Sequence, residues 1–424
     1  MRLSEYASTQ RTYGSHKVPR SVQQSIPIDR IYEDGTWRCG NVYSQMWSMP
    51  DINFTMSDED NKAKILNLLG KVYMGVPSDC WLKICIVSQR MDEKSFRENV
   101  LLHRNLDGLD KWRVERNRRF RQCVQDAGNV VQHKYLILST NKQNVTDARS
   151  RLRQVQGNLL AELSNLGCTI KPMTNNERLE VLHNFFRRGE EGRFQFSFDD
   201  YGKLGNDFRN TIAPDAMRFT TQHAEIDDGF AKAMAIAQYP QQLSDNFVAT
   251  LLQQVPYIVL SIDITPVETE DAMREIEASQ MKIDSEKYRA NRRNVENLDF
   301  MATISPRNQQ QEKYTAEIRN AICEGDQQVF MVLLSVAFFA DTPDELRQET
   351  DALQSAAANF NCRFTEMRFQ QENCFNTAMP YGLRRVESSH MMLTRSVTAL
   401  VPFVAQEVQS PQGIFYGRNA ITGN

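Results

Sequence analysis

No stretch of this chain is apolar for the roughly 20 residues that a membrane-crossing helix needs. The longest candidate runs from Val329 to Ala340, and Ser335 interrupts it. The opening Met1-Arg-Leu-Ser-Glu-Tyr holds no apolar core of a secretion signal. Phosphate-binding loops are missing as well. A Walker A loop needs G-x-x-x-x-G-K-[ST], so that backbone amides cradle phosphate and the lysine reaches it. Gly70-Lys71 is followed by Val72, and Gly202-Lys203 by Leu204; the required upstream glycines are Ile65 and Ser197 instead. No G-x-G-x-x-G occurs. Nucleotide hydrolysis by these residues alone is not expected, nor are ATP or magnesium as cofactors of this chain.

Metal and nucleophile signatures are equally sparse. The eight cysteines (Cys39, Cys80, Cys85, Cys123, Cys168, Cys323, Cys362 and Cys374) form no C-x-x-C pair and no zinc-finger spacing with histidine. Scattered cysteines suit a reducing cytosol. None of the six histidines pairs with another at i, i+4, and no H-E-x-x-H exists. His133 at a strand start and His183 in a leucine-containing helix read as structural residues. A cysteine enzyme whose base lies far off in sequence stays a minor alternative. The net charge of −3 gives the chain as a whole no electrostatic reason to bind nucleic acid.

What the sequence does contain is an internal repeat within an α/β (α+β) chain. Asp-Gly hairpin signals stand at Asp34-Gly35 and Asp228-Gly229, and tight turns favour that dipeptide. Helix starts follow at Ser57-Asp-Glu-Asp60 and Ser244-Asp-Asn, where a serine hydroxyl can cap free amides. Three strands are expected in each copy: 82–87, 135–139 and 168–171, then 257–265, 329–339 and 362–369. Between them lie amphipathic helices. Ala148, Leu152, Val155, Leu159, Leu163 and Leu166 share one face; so do Leu346, Thr350, Leu353, Ala357 and Phe360. Thr342-Pro343-Asp344-Glu345 is a capping box with proline at the first helical position. Gly35 to Gly229 and Cys168 to Cys362 both span 194 residues.

The expectation is two tandem similar units, each a mixed or antiparallel sheet with helices packed on it, of the ferredoxin-like split β-α-β type. They occupy residues 28–205 and 206–400, after an N-terminal arm at 1–27 and before strands at 401–424. Two polar stretches, Arg104–Asn129 and Lys282–Glu324, read as long helices projecting from the sheet. They carry the basic clusters Lys111, Arg113, Arg116, Arg118, Arg119 and Arg121, and Arg289, Arg292 and Arg293. Such clusters suit nucleic-acid phosphate, anionic lipid or an acidic partner. The competing reading is a solvated face balanced by Glu98, Glu115, Glu286 and Glu296.

Gln370-Gln-Glu-Asn-Cys-Phe-Asn-Thr-Ala-Met-Pro380-Tyr-Gly382 resembles a Q-x-x-A/G-[FL]-x-[ST]-x-x-P-[LFY]-G stretch of the conjugal transfer ATPases of type IV secretion systems, the VirB-four/TraC family. Gly413-Ile-Phe-Tyr-Gly-Arg-Asn-Ala-Ile-Thr-Gly423 resembles the strand pair leading into their ATPase domain. Ser261-Ile-Asp-Ile-Thr-Pro266 and Ile28-Asp-Arg-Ile-Tyr-Glu-Asp-Gly35 resemble members from integrative conjugative elements. The resemblance covers roughly Ile28 to Gly423, and the first copy departs from it at Lys171-Pro172-Met173. It implies the N-terminal docking and assembly region of a cytosolic motor for DNA transfer, held at the inner face of the cell membrane. The family's Walker motifs would follow Asn424, with ATP and magnesium bound there. Implied partners are a small inner-membrane subunit, other secretion subunits and further copies of the chain. A freestanding nucleic-acid-binding protein using the arginine helices is the alternative.

Overall fold

The computed structural model describes residues 21–404, except 56, 91–96, 98–100, 127–129, 191–192, 199–206, 241, 297–315, 317 and 322–326. The first unit runs β1 (Arg30–Ile31), β2 (Trp37–Cys39), β3 (Val42–Met49), α1 (Glu59–Met74), β4 (Cys80–Arg90), α2 (Asp110–Asp126), β5 (Val130–Asn141), α3 (Val145–Asn165), β6 (Lys171–Pro172) and α4 (Asn175–Phe186). The second runs β7 (Met217–Phe219), β8 (Ala224–Ile226), β9 (Gly229–Gln238), α5 (Phe247–Leu252), β10 (Ile258–Pro266), α6 (Thr269–Glu296), β11 (Val329–Ala340), α7 (Pro343–Asn359), β12 (Arg363–Thr365) and α8 (Gln371–Ala378). Strand β13 (His390–Leu393) and helix α9 (Thr394–Thr398) follow.

The two units repeat one topology. Strands order as β6-β3-β5-β4 in the first and β12-β9-β11-β10 in the second, with every pairing antiparallel. That is the split β-α-β order expected from the sequence. In each unit the polar helical stretch is inserted between the strand 2 and strand 3 equivalents, after β4 and after β10.

The units are not two separate sheets, however. Strand β4 pairs with β10, so all the strands join one 13-stranded sheet. The reason lies in those two strands. Every residue of β10 is buried, and β4 is buried from Cys80 to Val87. An isolated unit would leave this apolar strand as a sheet edge with unpaired amides. Edge-to-edge pairing of the two equivalent strands removes both edges at once.

Several local expectations also shift. Gly35 lies between β1 and β2, whereas Gly229 begins β9, where Val42 begins β3, and Asp227 (φ 50°) takes the turn position of Gly40 (φ 65°). Cys168 and Cys362 are equivalent, because each follows a left-handed residue at a helix end, Gly167 (φ 82°) and Asn361 (φ 56°). Asp58, not Ser57, caps α1 by accepting from the Asn61 amide at 3.2 Å. Thr342 accepts from the Glu345 amide at 3.2 Å, but the Glu345 carboxylate turns to the Asp341 amide. A complete capping box stands at Thr174 and Glu177. The stripe Ala148, Leu152, Val155, Leu159 and Leu163 is buried along α3, as are Leu346, Thr350, Leu353 and Ala357 along α7. Residues 401–404 form no strand, and 1–20 and 405–424, including the segment 413–423, lie outside the described residues.

One face of the sheet carries α1, α3, α5, α7 and α9 over an apolar core. The other carries α4 and α8. At the seam, Ile84 faces Ile262, flanked by Lys83 opposite Asp263 and Cys85 opposite Ser261. Lys83 Nζ lies 3.1 Å from Asp263 Oδ2, and both side chains are fully buried. The ammonium also donates to the carbonyls of Thr377 and Leu383. Burial pushes the Asp263 carboxyl up, while Lys83 and Arg384 pull it down.

Those carbonyls lie in the last turn of α8 and in the strap that follows it. Ser261 Oγ donates to the Ala378 carbonyl (2.6 Å), Ser44 Oγ to that of Tyr381 (3.1 Å) and Trp81 Nε1 to that of Gly382 (3.1 Å). The strap therefore starts on the second unit and ends across β3, β4 and β5 of the first. Gly382 (φ 82°) lies so close to the sheet that a Cβ would stand 2.5 Å from Ser139 Oγ and 2.8 Å from Ser44 Cβ. On the same face, α4 and the residues after it reach from the first unit to the second: Phe185 stacks edge-on against Phe339 at 5.0 Å, and Arg188 pairs with Asp341 at 2.8 Å.

Lys83→Met should cost about 3–5 kcal/mol, because it strands a buried carboxylate. Adding Asp263→Leu should recover most of this, leaving about 1–3 kcal/mol from the two carbonyls that lose their donor. Gly382→Ala should cost at least about 2 kcal/mol through overpacking and a disfavoured backbone angle. Urea unfolding measures all three. Glu349 supplies a pH test. Burial, aided by Glu345 and Asp341 and opposed by Arg188, pushes its carboxyl up to about 8 from 4.5. The folded chain thus keeps a proton that the unfolded chain releases, so this group's contribution to stability falls as pH rises from about 4.5 to 8. Glu349→Gln should flatten that fall in urea unfolding measured across this window.

Candidate interaction surface

Helix α2 builds its own foundation. Its sequence is rich in arginine and sparse in apolar residues, so it has little to bury against the sheet. The turn before it is pinned by its first residues. Asp110 accepts from the amides of Asn105 (3.0 Å) and Leu106 (2.9 Å), and Asp107 from that of Leu109 (2.9 Å). Arg113 bonds both carboxylates, reaching Asp110 at 2.7 Å. Asn117 holds Leu102 by its amide and its carbonyl, at 3.0 and 2.8 Å. Hydrogen bonds from Arg113 hold the Asp107 and Asp110 carboxyls below the usual range, and the same bonds raise Arg113. The loop is an extension of the helix, locked to it by charge-assisted bonds.

The basic residues of α2 take different roles on this frame. Arg113 is largely covered and serves the turn. Arg116 lies over the Phe120 ring at 4.2 Å, and Lys111 beside the Trp112 ring at 5.2 Å. Arg119 is exposed and pairs with Glu115 one turn back at 3.2 Å. Lys111, Arg118 and Arg121 are exposed. Lys111, Arg118, Arg119 and Arg121 are therefore the cations that present charge to a partner. Arg289, Arg292 and Arg293 fall on the last turns of α6, and their side chains lie outside the described residues. The structure does not unite the two clusters. Because β4 and β10 run antiparallel, α2 and α6 leave the sheet from opposite ends.

Sequence reasoning passed over the apolar part of this surface. Leu106, Leu109 and Trp112 are 94%, 59% and 64% exposed. Leu106 stands in the left-handed region (φ 58°), where a branched side chain is uncommon. The signal was present in Asn105-Leu-Asp-Gly-Leu-Asp-Lys-Trp112, where apolar residues alternate with the aspartates that fix the turn.

The other chemistries weighed on the sequence find little support. Cys39, Cys80, Cys85, Cys168, Cys362 and Cys374 are buried. Burial pushes Cys39, Cys85 and Cys168 up to about 12 and Cys80 and Cys362 up to about 11, and raises Cys374 as well. Such thiols are poor nucleophiles at neutral pH. The side chain of Cys123, and Cys323 as a whole, lie outside the described residues. His133 stacks on Tyr135, and buried His183 meets Phe194 edge-on at 5.4 Å. Among the described residues, no group of three or more His, Cys, Asp or Glu side chains is placed to hold a metal ion. No described helix is long and apolar enough to cross a membrane.

Arg118→Glu with Arg119→Glu should change stability by no more than about 0.5–1 kcal/mol, since both side chains are exposed and the Glu115 pair is solvated. Thermal unfolding of the double variant checks this. No protein-family model matches the chain, and no curated protein matches it.

Proposed function

We propose that this chain is the docking and assembly region of a motor that powers type IV secretion or conjugative DNA transfer, and is itself non-catalytic. The observation that carries this reading is the projecting helix α2: a charged element, held rigid at its base, that spends almost none of its surface on the fold. Ordering such an element costs conformational entropy that burial here does not offset. Contact with a partner supplies the missing return. The ordered series of segments resembling the conjugal transfer ATPases supplies the class of machine. The strap from Ala378 to Gly382 falls within one of those segments, and its buried contacts give a structural reason for that pattern of residues.

On this reading ATP and magnesium belong to the motor part of the machine and not to these residues. The partners are a small inner-membrane protein, other secretion subunits and neighbouring copies of the chain, at the cytoplasmic face of the cell membrane. The runner-up is a nucleic-acid-binding protein using the arginines of α2. It predicts DNA binding that falls steeply with salt.

Arg118→Glu with Arg119→Glu, placed in the full-length protein, should lower conjugation frequency and membrane assembly while the protein stays folded. Unchanged transfer by the folded variant would return these arginines to solvated surface. The isolated chain should show no ATP turnover above background, because no loop of the Walker type is present to cradle a triphosphate. Turnover that survives further purification would overturn the non-catalytic part.

A further inference from the structure

We infer that the tip of α2 inserts into the headgroup layer of an anionic lipid membrane. The tip comprises Leu106, Leu109 and Trp112. All three are exposed, and Leu106 is the most exposed of the large apolar side chains among the described residues. Exposed apolar residues are ordinary when scattered. These are not scattered: they lie within seven positions, and the backbone beneath them is fixed by five side-chain bonds from Asp107, Asp110 and Asn117. The geometry holds a leucine in a disfavoured conformation and points it at solvent. Nothing in the fold gains from that arrangement.

The shape and charge of the tip select the occupant. Three strongly exposed side chains, flanked along the chain by Leu102 and Val114 at 45% and 42% exposure, make an apolar end of modest size on a projecting helix. They match a soft surface that closes around them. Tryptophan suits the membrane interface, where its ring meets acyl chains and its N–H stays wet. Just behind the tip, Lys111 lies beside the Trp112 ring at 5.2 Å, and Arg118 and Arg121 are exposed one to three turns further on. Cations behind an apolar end reach lipid phosphates as the tip enters, each carrying long methylene stems suited to that depth. The chain as a whole carries a net charge of −3, so attraction to an anionic surface has to come from a local basic cluster such as this one. Lipid contact of this kind is shallow and reversible, since three side chains bury little area.

This inference gains its biological sense from the assembly reading, but its test needs only the purified chain. Trp37, Trp47 and Trp81 are 1%, 2% and 3% exposed, so Trp112 is the tryptophan whose emission responds to a surface. Vesicles of phosphatidylcholine containing about one third phosphatidylglycerol should shift the emission to the blue, and bromine-labelled acyl chains should quench it. Pure phosphatidylcholine should do neither. Trp112→Phe should abolish the optical signal. Leu106→Ser with Leu109→Ser should weaken co-sedimentation with the anionic vesicles about tenfold, and so should Arg118→Glu with Arg121→Glu. Equal binding to both lipids, or full binding by the double-serine variant, would overturn the proposal. So would silence toward vesicles with a crosslinker at position 109 capturing a protein in cells, which makes the tip a protein-docking element. A negative vesicle result leaves the assembly reading standing on the conjugation assay, so the two failures are distinguishable.

Discussion

The ion pair between Lys83 and Asp263 sits where two copies of one fold become one sheet. Neither charge touches water, and each alone would be costly to bury. Together, with the Thr377 and Leu383 carbonyls completing the ammonium's bonds, they form a polar point inside an apolar seam. Equivalent strands of equivalent units pair there about a local two-fold, Ile84 against Ile262. Apolar pairing of that kind does not discriminate between β10 and a second copy of β4. The ion pair does. In a β4–β4 pairing of the same register, Lys83 would meet Cys85 and lose its counter-ion. A single buried polar contact can thus set register and partner at some cost in stability.

The strap depends on this arrangement and completes it. Thr377 and Leu383 give their carbonyls to Lys83, Trp81 and Ser44 hold the turn between them, and Gly382 lets the backbone lie directly on the sheet. Among the described residues the first unit shows no matching strap. Its α4 ends instead in Arg187 and Arg188, which reach toward Ala213 and Asp341 on the second unit's side. Both post-sheet helices therefore lie on the same face and work as cross-ties. With the sheet fixed, the insertions after β4 and β10 leave it from opposite ends.

Much of the architecture was legible in the sequence because it is locally encoded. The stripe from Ala148 to Leu163 specifies a helix and its buried face without reference to anything distant. Thr342-Pro343 marks a helix start in the same way. The seam was not legible, since a strand's neighbour is a long-range fact. Leu82-Lys-Ile-Cys-Ile-Val87 reads as a strand with one stray lysine, and its partner carboxylate stands at position 263. A lysine inside an otherwise apolar strand was the available hint, and it asks for a buried carboxylate without saying where that carboxylate stands. The hairpin glycines misled because turn chemistry repeats within a unit as well as between units: the turn equivalent to Asp227-Asp228 is the one at Gly40, not the one at Gly35. On α2 the charges were legible and the roles were not. Only the geometry separates Arg113, spent on the turn, from Arg118, left to solvent, and only exposure marks Leu106 and Trp112 as an apolar end.

Native-state hydrogen exchange on β4 and β10, followed by mass spectrometry of peptides from each strand, tests the shared sheet most directly. If the seam makes the two units one cooperative structure, amides of both strands exchange together, at the free energy of global unfolding and with one denaturant dependence. Deleting the ion pair should lower the two by the same amount. Exchange of one unit's seam strand through a separate, lower-energy opening, with the other still protected, would mean two independently stable domains in contact, and would contradict the account.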